Sequence, residues 1–303
     1  MNTQSNAMNE FDAMRVAPAA MSVTQPLYWS IRRELWENRS IYIAPLAVAG
    51  VALFAFTLSA FVGIWEKRLR IIPETPQAPY EMAAGLMMLT GIVVSVFYCI
   101  DALHSERRDR SILFWKSLPV SDLTTVVAKA SIPLVVLPLL IVAITVAMQW
   151  LMLLLSSAVV LASGSKVATL WANVSFLRMS WLLLYHILTA HALWPAPIYC
   201  WLLLVSGWPR RAAFLWAALP LVAIAGVEQI VFHTWHFAAL VGSRFIGAAP
   251  MAASTSPDMF PTDPMTHIDL VGFLSSPGLW IGLAVAAVFL AAAVRLRRYQ
   301  GPI

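Results

Sequence analysis

Long runs of uncharged apolar residues constrain this chain more than any other feature of its sequence. The first, from about Ile41 to Trp65, contains no Asp, Glu, Lys or Arg. A hydrocarbon core of about 30 Å needs roughly 20 helical residues, so this run is long enough to cross a membrane. Because helices satisfy their own backbone groups in lipid, we expect an all-α polytopic membrane protein with six transmembrane helices. The other five runs lie at about 82–100, 130–155, 179–205, 212–232 and 279–294.

Composition supports a membrane protein without a separate soluble domain. Hydrophobic residues make up 60% and charged residues 12% of the 303-residue chain, whereas a soluble domain is about 45–50% apolar. The formal net charge of +5 is modest, and no nucleic-acid partner is expected. We interpret residues 1–25, which are polar and lack hydrophobic periodicity, as a flexible cytosolic tail. Residues 26–303 would form one six-span transmembrane domain.

The distribution of positive charge predicts how the spans are oriented. Six spans place both termini on one side, and 14 of the 20 Lys and Arg residues fall in the tails and loops of that side. Because cytosolic loops of membrane proteins carry an excess of Lys and Arg, we expect both termini in the cytosol. Segment 233–277 is then an extracytoplasmic loop, and the chain is expected to be a multi-pass protein of the cell (inner) membrane.

The segment from Tyr28 to Trp36 predicts a short helix before the first span. Such a helix would lie along the membrane surface as an N-terminal interfacial elbow. The alternative is that the segment is only the flank of the first span. On a helix its large apolar residues would share one broad face: Tyr28, Trp29, Ile31, Leu35 and Trp36.

The segment from His104 to Lys129 is the longest charged interruption between two apolar runs. A cluster of charges at 106–110 comes directly before the apolar residues Ile112 to Trp115. This order predicts a short amphipathic helix that has water on one side and meets lipid headgroups or a partner protein on the other. Pro119 would end that helix, because proline lacks an amide hydrogen and clashes with the preceding turn. The alternative is an ordinary loop at the membrane surface.

Sequence motifs for catalysis are not found in this chain. It has no G-x-x-x-x-G-K-[ST] phosphate loop, no H-E-x-x-H zinc pair and no G-x-S-x-G nucleophile elbow. We therefore expect no enzymatic activity, no catalytic residues and no metal site in this chain.

Glu228 is the only carboxylate that we place inside a span, at a depth similar to that expected for His186, His233 and His236. A charged group inside a membrane is costly, so Glu228 should face the bundle interior or a water-filled cavity. Three interpretations remain open. Glu228 could be a polar anchor bonded to a neighbouring helix, or a carboxylate of a substrate pathway that also includes His186 and His233. It could also belong to a metal or haem ligand set.

The charged interruption resembles the corresponding loop in permeases of type 2 ATP-binding-cassette (ABC) exporters. In that family the second span is followed by an acidic and basic cluster, a short hydrophobic helix, a Leu-Pro step and a lysine that opens the next span. The elbow, the six spans and the outer loop before the last span are also similar, so the resemblance covers nearly the whole chain. Where the family often has Gly-Thr after the charge cluster, this chain has Arg110-Ser111. The residues that carry the resemblance are Glu106-Arg107-Arg108, Ser111 to Trp115, Leu118-Pro119 and Lys129.

The resemblance implies an exporter permease that couples to a separate nucleotide-binding ATPase subunit. The segment from about Glu106 to Lys116 would be the cytosolic coupling helix. ATP and Mg²⁺ would be bound by the partner and no cofactor by this chain, and a second permease chain would complete a homo- or heterodimer. The residues implied in contacting the ATPase are Glu106, Arg107, Arg108, Ile112, Phe114, Trp115 and Lys116.

Two functions of other classes remain as alternatives to transport. The chain could be a polytopic membrane scaffold or sensor, or a haem- or metal-binding membrane redox subunit. Co-purification of an ATPase would distinguish the exporter from the scaffold, and an absorption spectrum would reveal the redox subunit. The sequence does not identify a substrate.

Overall fold

The computed structural model describes residues 24–65, 77–117, 120–162, 166–209, 211–246 and 270–299. Regular structure in these ranges is entirely helical, which confirms the all-α prediction. Most of the predicted tail, the Leu118-Pro119 step and residues 247–269 of the predicted outer loop lie outside the described residues, as do the side chains of Trp115 and Lys116.

The described residues form fourteen α-helices and two π-helical segments. In chain order they are α1 Thr24–Glu37, α2 Ser40–Trp65, α3 Ala78–Asp101, α4 His104–Arg108, α5 Ser111–Ser117, α6 Asp122–Ser131, π1 Ile132–Val136, α7 Leu137–Ala162, α8 Val167–Asn173, α9 Phe176–His186, π2 Ile187–Leu193, α10 Ala196–Ser206, α11 Ala213–Phe232, α12 His236–Ile246, α13 Leu270–Ser275 and α14 Pro277–Tyr299.

Helices long and apolar enough to cross a membrane number five in the described ranges, or six if a bent pair forms one span. The bent pair is Leu170–Leu193 followed by Ala196–Ser206, at an angle of 45°. The polytopic membrane fold, and with it a lipid bilayer around the chain, is therefore confirmed, whereas the orientation of the termini stays a prediction. The five unbroken candidates are Ser40–Val62, Ala78–Arg108, Asp122–Ala162, Ala213–Phe232 and Pro277–Tyr299.

The second and third spans extend further into the charged interruption than the apolar runs suggested. The second candidate span continues to Arg108, and the third begins at Asp122 and is 41 residues long. The predicted coupling helix is consequently two short helices, α4 and α5. The break falls at Arg110, whose φ of 58° is left-handed and cannot continue a right-handed helix.

The fourth span is bent where the helical hydrogen bonding is irregular. In π2 the amide of Trp194 donates to the carbonyl of Thr189 at 2.9 Å, and Pro195, which has no amide hydrogen, follows directly. A second π-helical segment, π1, contains Pro133 and is followed by Pro138. The two π segments contact each other inside the bundle.

The hydrophobic core lies where α3, α7 and α10 meet, with α2 and α14 packed around them. Met87, Met148, Met152, Ile141 and Leu203 are among its fully buried side chains. By contrast, α11 buries only Ala213 and Ala217, so its large apolar residues are left for lipid or another chain.

The predicted elbow is a helix, α1, but its apolar residues do not all share one face. Ile31 and Leu35 pack against the core, whereas Trp29 and Trp36 are exposed. The guanidinium of Arg32 lies 5.2 Å from the ring centroid of Trp29 and 4.9 Å from that of Trp36. Stacking of this kind is stabilising, so an arginine can lie on the aromatic side of the helix.

Candidate functional site: a buried ion network

Glu34, on the inner side of α1, is the first of two buried carboxylates at one end of the bundle. It lies between Ile31 and Leu35, and the packing of those two side chains turns it inward. Its Oε1 is 2.8 Å from Nζ of Lys129, and its Oε2 accepts a hydrogen bond from the hydroxyl of Tyr98 at 2.9 Å. The carboxylate therefore joins α1 to α3 and α6.

Glu106, on α4, is the second buried carboxylate, with only 5% of its side chain exposed. Its Oε1 lies 2.6 Å from Nη2 of Arg33 and 3.1 Å from Nζ of Lys129. Its Oε2 accepts a hydrogen bond from Nη1 of Arg297. A single side chain thus holds α4 to α1, α6 and α14.

Arg297 extends this set of ion pairs to the start of the third span. Its Nε lies 3.1 Å from Oδ1 of Asp122, the first residue of α6. The side chain of Ser121 caps α6 by accepting a hydrogen bond from the amide of Thr124 at 3.0 Å. The last span and the beginning of the third span are therefore fixed to each other.

Together these residues form what we call the ion network: Arg33, Glu34, Glu106, Asp122, Lys129 and Arg297. It contains three basic and three acidic side chains, and the exposed Glu37 pairs with Arg33 at its edge. Charges taken out of water are costly to desolvate, and their mutual attraction offsets that cost only when every member keeps its partners. Removing one member would therefore leave the others buried with uncompensated charge.

Arg33 shows how the network maintains the charge of its members. Burial by itself lowers the pKa of an arginine, but the neighbouring carboxylates of Glu34, Glu106 and Glu37 outweigh it and hold the pKa of Arg33 above its ordinary value. The network therefore favours the charged form of this guanidinium.

Arg107 ties α4 to a further part of the bundle. Its Nη1 donates to the backbone carbonyls of Gly207 and, at 3.1 Å, of Trp208, in the turn that follows α10. The fully buried hydroxyl of Ser206, in the last turn of α10, accepts a hydrogen bond from the amide of Leu103 at 3.3 Å. The segment between the second and third spans is thus bonded to helices from both halves of the chain.

The short helix α5 next to the network presents apolar side chains outward. Ile112 is buried, whereas Leu113 and Phe114 are 58% and 59% exposed. Of the residues predicted to contact an ATPase, Glu106, Arg107 and Ile112 face other parts of this chain. Arg108 and Phe114 are exposed.

Glu228 lies near the end of α11 and caps the next helix. Its Oε1 accepts hydrogen bonds from the hydroxyl of Thr234 and the amide of His236, both at 2.8 Å, and its Oε2 accepts one from the amide of Phe237 at 2.8 Å. A carboxylate at a helix N-terminus satisfies amides that have no partner within the helix. This geometry favours the polar anchor among the three interpretations of Glu228.

Of the histidines that we grouped with Glu228, His236 lies next to it, with Nδ1 3.4 Å from Oε1, whereas His186 and His233 have other neighbours. Nδ1 of His186 lies 3.0 Å from the carbonyl of Leu182, one turn earlier in the same helix. His233 ends α11 in a left-handed conformation, with φ of 52°. In the described residues no hydrogen bond or ion pair joins Glu228 to His186 or His233. Their role in a substrate pathway stays a prediction that direct contact does not support.

The other end of α12 is held by Arg244, which sequence reasoning did not single out. Its Nη1 donates to the carbonyl of Trp194 at 3.2 Å and its Nη2 to that of Gly278 at 2.8 Å. The guanidinium also lies 4.2 Å from the ring centroid of Trp194, whose indole donates to the carbonyl of Ser243 at 3.0 Å. α12 is thereby fastened to the bend of the fourth span and to the start of α14.

No group of three or more His, Cys, Asp or Glu side chains is placed to hold a metal ion within the part of the chain that the structure describes.

The sequence does not predict several members of the ion network. In the sequence, Glu34 is only one of several charged residues before the first span, and Arg297 is only one of the basic residues after the last span. For Glu34 a signal existed, since it lies one residue before Leu35 and three after Ile31 on a helix. Arg297 carried no comparable signal, because its partner Glu106 is 191 residues away in sequence.

Comparisons of the chain with protein-family models, with curated proteins and with solved structures find no match.

Proposed function

We propose that this chain is the transmembrane permease subunit of an ATP-driven ABC exporter of the type 2 class. It would supply the substrate pathway and couple to a separate nucleotide-binding subunit that binds ATP and Mg²⁺ and carries out hydrolysis. A second permease chain, identical or related, would complete the transporter. The basic bias of the loops supports a cytosolic position for both termini and for α5.

The observation that carries this proposal is the pairing of an exposed apolar helix with a buried ionic anchor. Leu113 and Phe114 project from α5, while Glu106, in the preceding short helix, is bonded to three other helices. Exposed aromatic and aliphatic side chains surrounded by charge are typical of the centre of a protein interface. A partner bound to α5 would therefore pull on a point that is connected to α1 and to the third and last spans.

The ion network gives this connection the stiffness that coupling requires. Glu106 and Glu34 share Lys129, so α4 cannot move away from α1 without separating buried charges. Arg297 transfers the same restraint to α14. A displacement of α5 by an ATPase is thus passed to several spans together, as a change of access from one side of the membrane to the other would need.

The proposal is tested by the double substitution Leu113→Ala with Phe114→Ala. Loss of two anchor side chains should cost on the order of 2–4 kcal/mol of association with the ATPase and should uncouple hydrolysis from transport. The measurements are co-purification of an ATPase that carries a phosphate loop, and its hydrolysis rate with and without this chain in lipid vesicles. The matched control is Leu123→Ala, on α6, which removes an equally exposed apolar side chain outside α5.

Unchanged ATPase binding and hydrolysis in the double variant, with the control also unchanged, would refute coupling through α5. Cross-linking from position 114 of the otherwise unchanged chain, followed by mass spectrometry, identifies what α5 contacts. Failure to recover any ATPase in this way would instead favour a membrane scaffold or sensor.

A further inference from the structure

A small cavity inside the bundle lies where the two π-helical segments approach each other. Its volume is about 20 Å³, which is enough room for one water molecule and no larger ligand. Most of its wall is apolar, but three polar residues from different helices converge on it. The lining includes Gly91, Ser95, Pro138, Ile141, His191 and Tyr199.

His191 reaches the cavity from π2, and its Nδ1 is buried without a hydrogen-bond partner among the described residues. In a neutral imidazole one ring nitrogen donates and the other accepts, so Nδ1 lacks a partner in either tautomer. Buried polar atoms without partners are rare in proteins and are usually explained by a bound molecule or a functional role. The neighbouring His186 provides the contrast, because its Nδ1 lies 3.0 Å from the carbonyl of Leu182.

The other two polar residues leave hydrogen-bonding capacity next to His191. The hydroxyl of Tyr199 donates to the backbone carbonyl of His191 at 3.3 Å, and the buried Ser95 lies within hydrogen-bonding reach of that same hydroxyl. Hydroxyl groups both donate and accept. A molecule in the cavity could therefore bond to Nδ1 of His191 and to a hydroxyl on the opposite wall.

Local helix geometry explains why a polar cavity exists at this position. A π segment widens the helix by about one residue per turn and is frequently found at functional sites. Here π2 carries His191 on one side of the cavity, and the residues that follow π1, Leu137 and Pro138, form another side. The cavity is thus built by the two irregular stretches of the third and fourth spans.

We propose that this cavity is a binding site for one water molecule, which hydrogen-bonds to Nδ1 of His191. A charged ligand is excluded, because the remaining wall is apolar and provides no counter-charge. This site does not depend on the exporter function.

The test is solid-state NMR of the full-length protein in lipid bilayers with ¹⁵N-labelled histidine. Magnetisation is transferred from water protons to the ring nitrogens, once in H₂O and once in D₂O. We expect a transfer to one His191 nitrogen that His191→Phe removes, whereas His186→Phe, five residues earlier, leaves it intact. If His191→Phe does not fold, His191→Gln makes the assignment.

The comparison of H₂O with D₂O identifies the source of the proton. A transfer to His191 that is present in H₂O and disappears in D₂O identifies an exchangeable water proton. Absence of transfer to His191 in H₂O, or a transfer that persists in D₂O, would overturn the proposal.

Discussion

The two ends of this bundle use charged side chains in different ways. At the end that contains α4, the ion network joins acidic to basic side chains from helices far apart in sequence. At the end that contains α12, Glu228 accepts hydrogen bonds from backbone amides and Arg244 donates to backbone carbonyls. One end is held by charge pairs, and the other by charges that complete the hydrogen bonding of helix ends and bends.

This difference predicts which substitutions each end of the bundle should tolerate. A buried charge pair depends on both partners, and neutralising one partner leaves the other desolvated. A side chain that bonds to backbone groups needs correct hydrogen-bonding atoms more than it needs charge, so a neutral side chain of the same shape can substitute in part. The network end should therefore be sensitive to charge, and the α12 end to shape.

The largest expected effect concerns the side of the membrane on which each end lies. A cysteine introduced by His236→Cys should react with an impermeant thiol reagent in intact cells whose outer membrane admits the reagent. One introduced by Asp109→Cys should react only after lysis, because both positions are exposed on the protein but the membrane separates them. Labelling is read by a mass shift on gels. The background is low because Cys99 and Cys200 are buried, and the reverse pattern would show that the orientation is wrong.

Glu106→Gln should give the next largest effect. It removes the carboxylate that Arg33, Lys129 and Arg297 share, and breaking a buried charge pair costs about 3–5 kcal/mol. We expect a lower folded yield and a lower melting temperature, measured by size-exclusion chromatography after heating in detergent. The control Asp109→Asn, which breaks an exposed pair with Arg108, should change little. Equal stability of Glu106→Gln and wild type would mean that the network is not structurally required.

Glu228→Gln should have the smallest effect. Glutamine keeps the shape and one acceptor oxygen, so the cap of α12 would lose only some of its hydrogen bonds. Expression and transport should stay close to wild type, while Glu228→Leu, which removes every acceptor, should lower the folded yield. A transport assay beside an expression assay decides the role of this residue. Lost transport with normal expression in the glutamine variant would place Glu228 in the substrate pathway instead.

Hydropathy was sufficient to predict the membrane spans but not their ends. An apolar run shows where lipid can surround a helix, and the runs at 41–65 and 212–232 agree closely with α2 and α11. At 82–100 and 130–155 the helices continue well past the apolar residues. The charged residues near the ends of these helices are buried against other charges. A hydropathy scale scores each residue by itself, so it predicts that these charged residues are exposed to water.

The coupling segment and the ion network show a second limit of sequence reasoning. Glu106 and Arg107 were expected to face a partner because the resemblance to exporter permeases implied that they contact an ATPase. Their partners, Arg297 and Gly207, lie 191 and 100 residues away, a distance that no local periodicity can reveal. The exposed Phe114, by contrast, was found from its immediate surroundings alone.

The helix from Asp122 to Ala162 has a mechanical consequence of its own. At 1.5 Å per residue its 41 residues extend about 60 Å, twice the thickness of a hydrocarbon core of about 30 Å. Lys129 fixes it near one end, and π1 (Ile132–Val136) follows immediately, before the roughly 39 Å of α7. Because α7 is packed in the core of the bundle, it cannot pivot alone. A rotation of about 5° at π1 would move the far end of α7 by about 3 Å, and α2 and α3 would have to move with it.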